Sequence, residues 1–163
     1  MEGVRADLSL ELASRDLGGD FDFRRLIAHL RGRHSLAAHQ ALAARLLLGV
    51  TGGDPPRQRR FALGGLGTLR GRSFKEFSGG NMALLSAEWA IHPASPWPAP
   101  LAFYDGGAVW GSGAGSGWKS DLGLGLEWGL RGQILLRVDG AFPLNPAPGR
   151  DGFRLTARLR APF

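Results

Sequence analysis

The sequence contains no cysteine, which excludes disulfides, thiolate nucleophiles and cysteine-ligated zinc. It has no apolar run approaching the roughly 18 residues of a transmembrane helix, and its mean hydropathy is −0.09. The first residues, MEGVRADLSL, lack a basic stretch followed by an apolar one, so no signal peptide is predicted. None of these absences excludes a membrane β-barrel, because the hydropathy of its alternating strands averages to nearly zero.

The length and the overall composition indicate one folded domain. The chain has 163 residues and a net charge of +6, and 44% of its residues are hydrophobic, which is too many for a disordered segment. Glycine accounts for 26 residues, well above the usual share of about 7%, but no Gly-X-Y period accompanies it. A collagen-like chain is therefore excluded.

Apolar and polar residues alternate along most of the chain, as they do in strands whose two faces meet different environments. The pattern predicts eight strands, at residues 4–14, 21–30, 41–50, 82–91, 101–110, 121–130, 134–142 and 153–163. Turns are predicted at 16–20, 32–36, 131–132 and 145–152. Strands of about ten residues exceed the five or six that are common in soluble sheets and match the 9–11 or so that a tilted strand needs to cross a bilayer.

Alternation alone does not say which face points inward. A soluble barrel buries its apolar face, whereas an outer-membrane barrel turns that face to lipid and its polar face to the lumen. Strand length and the lack of charge on the apolar faces favour the membrane arrangement. The small residues Gly123, Gly125 and Gly129 on one polar face suit a curved wall. A soluble ligand-binding β-barrel remains the alternative.

A long connection between the third and fourth predicted strands, residues 51–80, carries the most specific motif. It contains Leu69, Arg70, Gly71 and Arg72 in succession. This resembles the signature loop of the BamA/TamA-type outer-membrane surface-antigen family, whose core is an aliphatic residue, arginine, glycine and an aromatic residue. Arg72 stands where the family usually has phenylalanine or tyrosine.

A second element follows in the fifth predicted strand, where Phe103, Asp105 and Gly107 match the family pattern Phe-x-Asp-x-Gly. The resemblance implies that Arg70 folds back into the barrel lumen and pairs with Asp105. Glu88 lies on the polar face of the strand after the loop and is predicted as a second acidic partner.

The third element is the C-terminal strand, residues 153–163. Its apolar residues resemble the β-signal by which outer-membrane barrels are recognised by the assembly machinery, and they include Phe153, Leu155, Leu159 and Phe163.

With these three elements in the family's order, the resemblance implies an all-β, antiparallel transmembrane barrel of about sixteen strands, of which residues 1–163 form the C-terminal half. The resemblance implies a location in the bacterial outer membrane and a role in protein insertion, assembly or translocation. The implied partners are the bilayer, the assembly machinery, client proteins and a missing N-terminal half with POTRA or other domains.

An enzyme and a nucleic-acid-binding protein are disfavoured. The four histidines form no metal-ligand spacing, and the glycine-rich segments match neither a nucleophile elbow nor a phosphate loop. No catalytic residue, metal or cofactor is predicted. Arginines are spread over many strands instead of forming a contiguous basic patch, so we expect them in the lumen. A positively charged half-lumen would need acid from the missing half, the loop or solvent.

Overall fold

The computed structural model describes residues 2–94, 97–111, 116–129, 134–146 and 152–160. The strands, in chain order, are β1 (Gly3–Ala13), β2 (Phe23–Ala37), β3 (Gln40–Gly53), β4 (Phe61–Leu63), β5 (Phe77–Gly79), β6 (Asn81–Ile91), β7 (Ala99–Trp110), β8 (Ser116–Gly129), β9 (Leu135–Pro143) and β10 (Arg154–Arg160). The helices among these residues are two single 3-10 turns, Arg15–Leu17 and Arg57–Arg59. No helix in the described ranges is long and apolar enough to cross a membrane.

Eight strands form one antiparallel sheet in the order β1-β2-β3-β6-β7-β8-β9-β10, so each strand pairs with the next along the main sheet. These are the eight strands that the alternation predicts, and the all-β antiparallel class is confirmed. The short strands β4 and β5 form a separate ribbon within the connection between β3 and β6. Within the described residues, β1 and β10 are the two edges of the main sheet.

The prediction of a turn at 32–36 was wrong. Strand β2 continues to Ala37, and the turn lies at residues 38–39, immediately before β3. Beyond Arg31 the side chains of β2 are mostly polar and exposed, so hydrophobic alternation stops signalling a strand there. The ladder to β3 nevertheless continues as far as the pair Ala37 and Gln40. The turn predicted at 131–132 lies outside the described residues, as does most of the one predicted at 145–152.

One face of the main sheet, which we call the apolar face, carries large exposed hydrophobic side chains. Leu8 is 74% exposed, Leu124 is 71% exposed and Leu155 is 66% exposed. Residues that pair across neighbouring strands lie on the same face of the sheet. The pairing register therefore collects the exposed hydrophobic residues of successive strands on one face.

The connection at 54–80 packs on part of the opposite face, which we call the loop face. The largest buried hydrophobic cluster lies between this connection and the sheet, and its members are Phe61, Leu63, Leu69, Met82, Leu84 and Val109. The aromatic ring of Phe61 occupies the space where a side chain on Gly49 would lie. The core therefore consists of loop residues packed on the sheet, and the alternating apolar face contributes little to it.

The glycines of β8 make room for side chains from neighbouring strands. A Cβ on Gly123 would collide with the ring of Phe103, which comes from the adjacent strand β7. A Cβ on Gly125 would meet the carboxylate of Asp139 on β9. These glycines thus allow large groups to lie flat on the loop face.

A valine at position 123 should destabilise the fold by about 1–3 kcal/mol, because it forces Phe103 out of its place. The matched control is Gly129→Val in the same strand, where an added Cβ meets nothing within 4 Å. Urea unfolding followed by circular dichroism measures both effects. Equal losses of stability in the two variants would contradict this explanation of Gly123.

Candidate functional site

The tip of the long connection is a compact turn that begins at two glycines with positive φ. Gly64 and Gly65 have φ values of +120° and +93°, a region that side chains disfavour. The amide of Gly64 donates to the hydroxyl of Thr68 at 2.7 Å, and the amide of Gly65 donates to the carbonyl of Leu69 at 2.9 Å. Leu69 is fully buried, so the turn projects the next residues onto the sheet.

Arg70 lies almost completely buried against the loop face. Its Nε donates to Oδ2 of Asp105 at 2.6 Å, and its Nη2 donates to Oδ1 of the same carboxylate at 3.0 Å. Nη1 donates to Oε2 of Glu88 at 3.2 Å. The guanidinium also stacks over the ring of Phe103, with its carbon 3.4 Å from the ring centroid. The structure thus brings together four residues that the sequence singled out.

Glu88 links Arg70 to a second arginine, Arg137 of β9, which the sequence analysis did not select. Nη1 and Nη2 of Arg137 donate to the two oxygens of Glu88 at 2.8 and 2.6 Å, and its Nε donates to Asp139 at 2.8 Å. Arg158 of β10 donates to Asp139 at 3.2 Å. Arg137 and Asp139 are two residues apart in β9 and so share a face, but only the inter-strand register brings them beneath the loop.

The network therefore contains three arginines, at positions 70, 137 and 158, and three carboxylates, at 88, 105 and 139. The acids lie on β6, β7 and β9 of the same chain. Buried charges require this kind of close pairing, since their desolvation is costly.

Arg72 is buried as well, and its partners were not predicted. Its Nε donates to Oδ1 of Asp121 at 3.0 Å, and its Nη2 donates to the backbone carbonyl of Asn145 at 3.0 Å and to the side-chain oxygen of Asn145 at 2.7 Å. The amide of Gly71 donates to the other oxygen of Asp121 at 2.8 Å. Asp121 lies directly opposite Asp105 in the β7–β8 register, so the two loop arginines meet neighbouring carboxylates.

The remaining predicted residues are separate from this site. Gly107 lies next to Leu63 and Leu84 of the hydrophobic cluster. The residues predicted as a C-terminal signal, Phe153, Leu155 and Leu159, are exposed. Leu155 and Leu159 follow the apolar face along β10, and the ring of Phe153 contacts that of Phe142. Phe163 lies outside the described residues.

Residues 1–158 match a family model described as the Omp85 superfamily domain. The chain belongs to the Omp85 superfamily. The outer membrane protein assembly factor BamA of Nitratidesulfovibrio vulgaris is 30% identical over 169 residues, which cover 91% of this chain and 21% of that protein. The chain thus spans about a fifth of the length of this curated relative.

A crystal structure of BamA from Haemophilus ducreyi lacking POTRA domains 1–3 matches this Omp85 chain with a TM-score of 0.79 and 18% identity. The match covers 98% of this chain and 39% of the other, and at this identity it shows a shared fold. The BamA/TamA-type family predicted from the sequence is confirmed. With it, the predicted location in the bacterial outer membrane is confirmed.

The substitution Asp105→Asn in this Omp85 chain should lower stability by about 3–5 kcal/mol, because it leaves the buried guanidinium of Arg70 without its closest charge partner. The control is Asp7→Asn, which removes a carboxylate shared by Arg5 and Arg31 in an exposed setting. Water screens the attraction between Asp7 and these two arginines, so its loss should change stability little. Thermal unfolding compares the variants. If both substitutions lowered the midpoint temperature by the same small amount, Asp105 would not stabilise the fold in the way described.

Proposed function

We propose that this chain forms the C-terminal half of an outer-membrane barrel of about sixteen strands that inserts, assembles or translocates other proteins. In this proposal the apolar face contacts lipid, and the connection at 54–80 lies in the lumen, held there by Arg70. The barrel acts through its shape and the position of this loop, without a chemical step, a cofactor or a metal. The observation that carries the proposal is the arrangement of the two faces.

The sheet exposes hydrophobic side chains on its apolar face and buries the charged network beneath the loop, which is the reverse of a soluble barrel. More than two thirds of the surface of Leu8 and of Leu124 is exposed to solvent. Asp105 and Asp139, beneath the loop, are each 1% exposed. Such a continuous exposed apolar surface is costly in water and favourable in lipid. It therefore counts against the alternative of a soluble ligand-binding β-barrel.

The free edges support a longer barrel. Strands β1 and β10 each have one neighbour within the described residues, and an unpaired backbone edge is unfavourable in a bilayer. Further strands must cover these edges if the sheet lies in lipid. A missing N-terminal barrel half fits this need, and it fits the fact that the chain covers 39% of the matched BamA structure.

The proposed partners follow from this arrangement and from the relative's description as an assembly factor. They are the outer-membrane bilayer, client outer-membrane or secreted proteins, and the barrel-assembly machinery. The proposed recognition signal for the machinery is the segment 153–163, in which Leu155 and Leu159 of β10 expose their apolar side chains.

Neighbouring residues of β1 test the membrane orientation directly. The chain has no cysteine, so single cysteines at Leu8 and Ser9 can be labelled with an environment-sensitive dye. The two side chains leave the strand on opposite faces, so only the label at position 8 should reach lipid. We expect a blue-shifted emission and quenching by nitroxide-labelled lipid at position 8, and little of either at position 9.

Equal quenching at positions 8 and 9 would contradict this orientation. Stable folding of the chain as a monomer in buffer without detergent or lipid would instead support the soluble barrel.

The role of Arg70 is tested by limited proteolysis. Arg70→Ala removes the contacts to Asp105 and Glu88, so cleavage between Thr51 and Gly80 should become several-fold faster. Arg59→Ala serves as the control, because Arg59 lies in the same connection but pairs with Glu11 at an exposed position. Unchanged cleavage in the Arg70 variant would show that the pair does not hold the loop.

A further inference from the structure

The loop has a second buried attachment that reaches toward the C-terminal edge of the sheet. Arg72 is 3% exposed, and it spans two elements, donating to Asp121 of β8 and to Asn145 in the connection between β9 and β10. Because Asp121 is fully buried, its charge depends on this guanidinium and on the amide of Gly71. The Arg72 contact therefore joins three parts of the chain that are far apart in sequence.

Asn145 is also fixed from the other side, by β8. Its Nδ2 donates to the carbonyl of Trp118 at 2.9 Å, and its Oδ1 accepts from the amide of Ser120 at 3.1 Å. The amide of Leu144 donates to the carbonyl of Ser120 at 2.8 Å. The start of the β9–β10 connection is thus held between β8 and Arg72.

Two further contacts connect the loop to the β9–β10 hairpin. A Cβ on Gly71 would lie 3.1 Å from the backbone nitrogen of Pro143, the last residue of β9, so the loop backbone comes very near the end of that strand. Arg154, the first residue of β10, donates to the hydroxyl of Ser73 at 3.0 Å. The loop residues 71–73 therefore touch both sides of the β9–β10 connection.

We propose that Arg72 is a positioning residue that couples the long loop to the edge hairpin β9–β10. While Arg72 bridges Asp121 and Asn145, the loop and the start of the hairpin connection move as one unit. When the bridge opens, β10 keeps its ladder to β9 and the single contact from Arg154 to Ser73. This coupling rests on the proposed function, in which a held loop and a C-terminal edge strand are working parts of the barrel.

The chemistry of the side chain explains why arginine serves here. Its planar fork presents Nε and Nη2 in directions that reach a carboxylate and a neutral amide at the same time. An aromatic ring at position 72 would supply no such donors, and Asp121 would lose its guanidinium. A lysine would keep the charge near Asp121 but lacks a rigid second donor for Asn145.

Hydrogen–deuterium exchange on the full-length chain in lipid vesicles tests the coupling. Arg72→Gln and Asp121→Asn should each speed exchange roughly tenfold or more at residues 64–76, 144–145 and 154–160, while β2 and β3 remain as in the parent. The double variant should exchange no faster than the more affected single variant, because both remove the same interaction. Arg5→Gln, at the opposite edge, is the control and should leave the hairpin unchanged.

Arg72→Lys separates the two halves of the bridge. It should preserve slow exchange at 64–76, through the charge opposite Asp121, and still accelerate exchange at 144–145 and 154–160. Slow exchange in the β9–β10 hairpin of Arg72→Lys would overturn the proposal. So would faster exchange in Arg72→Gln or Asp121→Asn that is confined to the loop or spread evenly over all strands. The proposed function has its own test in lipid quenching and in cleavage of the Arg70 variant, so the failure of either proposal can be told from that of the other.

Discussion

A guanidinium group that is taken out of water must keep charge partners and hydrogen-bond acceptors, and this constraint organises the loop face of the molecule. Arg70 and Arg72 leave the loop tip side by side and enter the sheet at adjacent carboxylates, Asp105 and Asp121. Each carboxylate is almost completely buried. Neither the loop arginines nor the strand acids could remain in these positions without the other, because isolated buried charges are strongly unfavourable.

The hydrophobic core follows from the same arrangement. Leu69 precedes Arg70 and is fully buried with Leu63 and Leu84, so the apolar and charged contacts of the loop reinforce each other. The glycine at 123 lets the ring of Phe103 lie flat, and the ring in turn supports the guanidinium of Arg70. The loop is therefore an integral layer of the fold, and the outward face of the sheet is free to meet a different solvent.

Hydrophobic alternation and short motifs predicted several features of the structure correctly and missed others. Alternation located all eight strands of the main sheet and placed Glu88 on a polar face, and the paired motifs pointed to Arg70 with Asp105. It missed the continuation of β2 beyond Arg31, since a strand with two polar faces has no hydrophobic period. It also missed Arg137, because that residue is 49 positions from Glu88 in sequence and shares no motif with it.

The sequence by itself determined which residues share a face, because side chains alternate along a strand whatever its surroundings. It also determined that one face would be apolar and the other rich in arginine. Only the tertiary structure decided which arginine meets which carboxylate, that Arg72 reaches Asn145, and that the charges are buried while the leucines are exposed. These outcomes depend on inter-strand register and on the path of the long loop, which local periodicity does not encode.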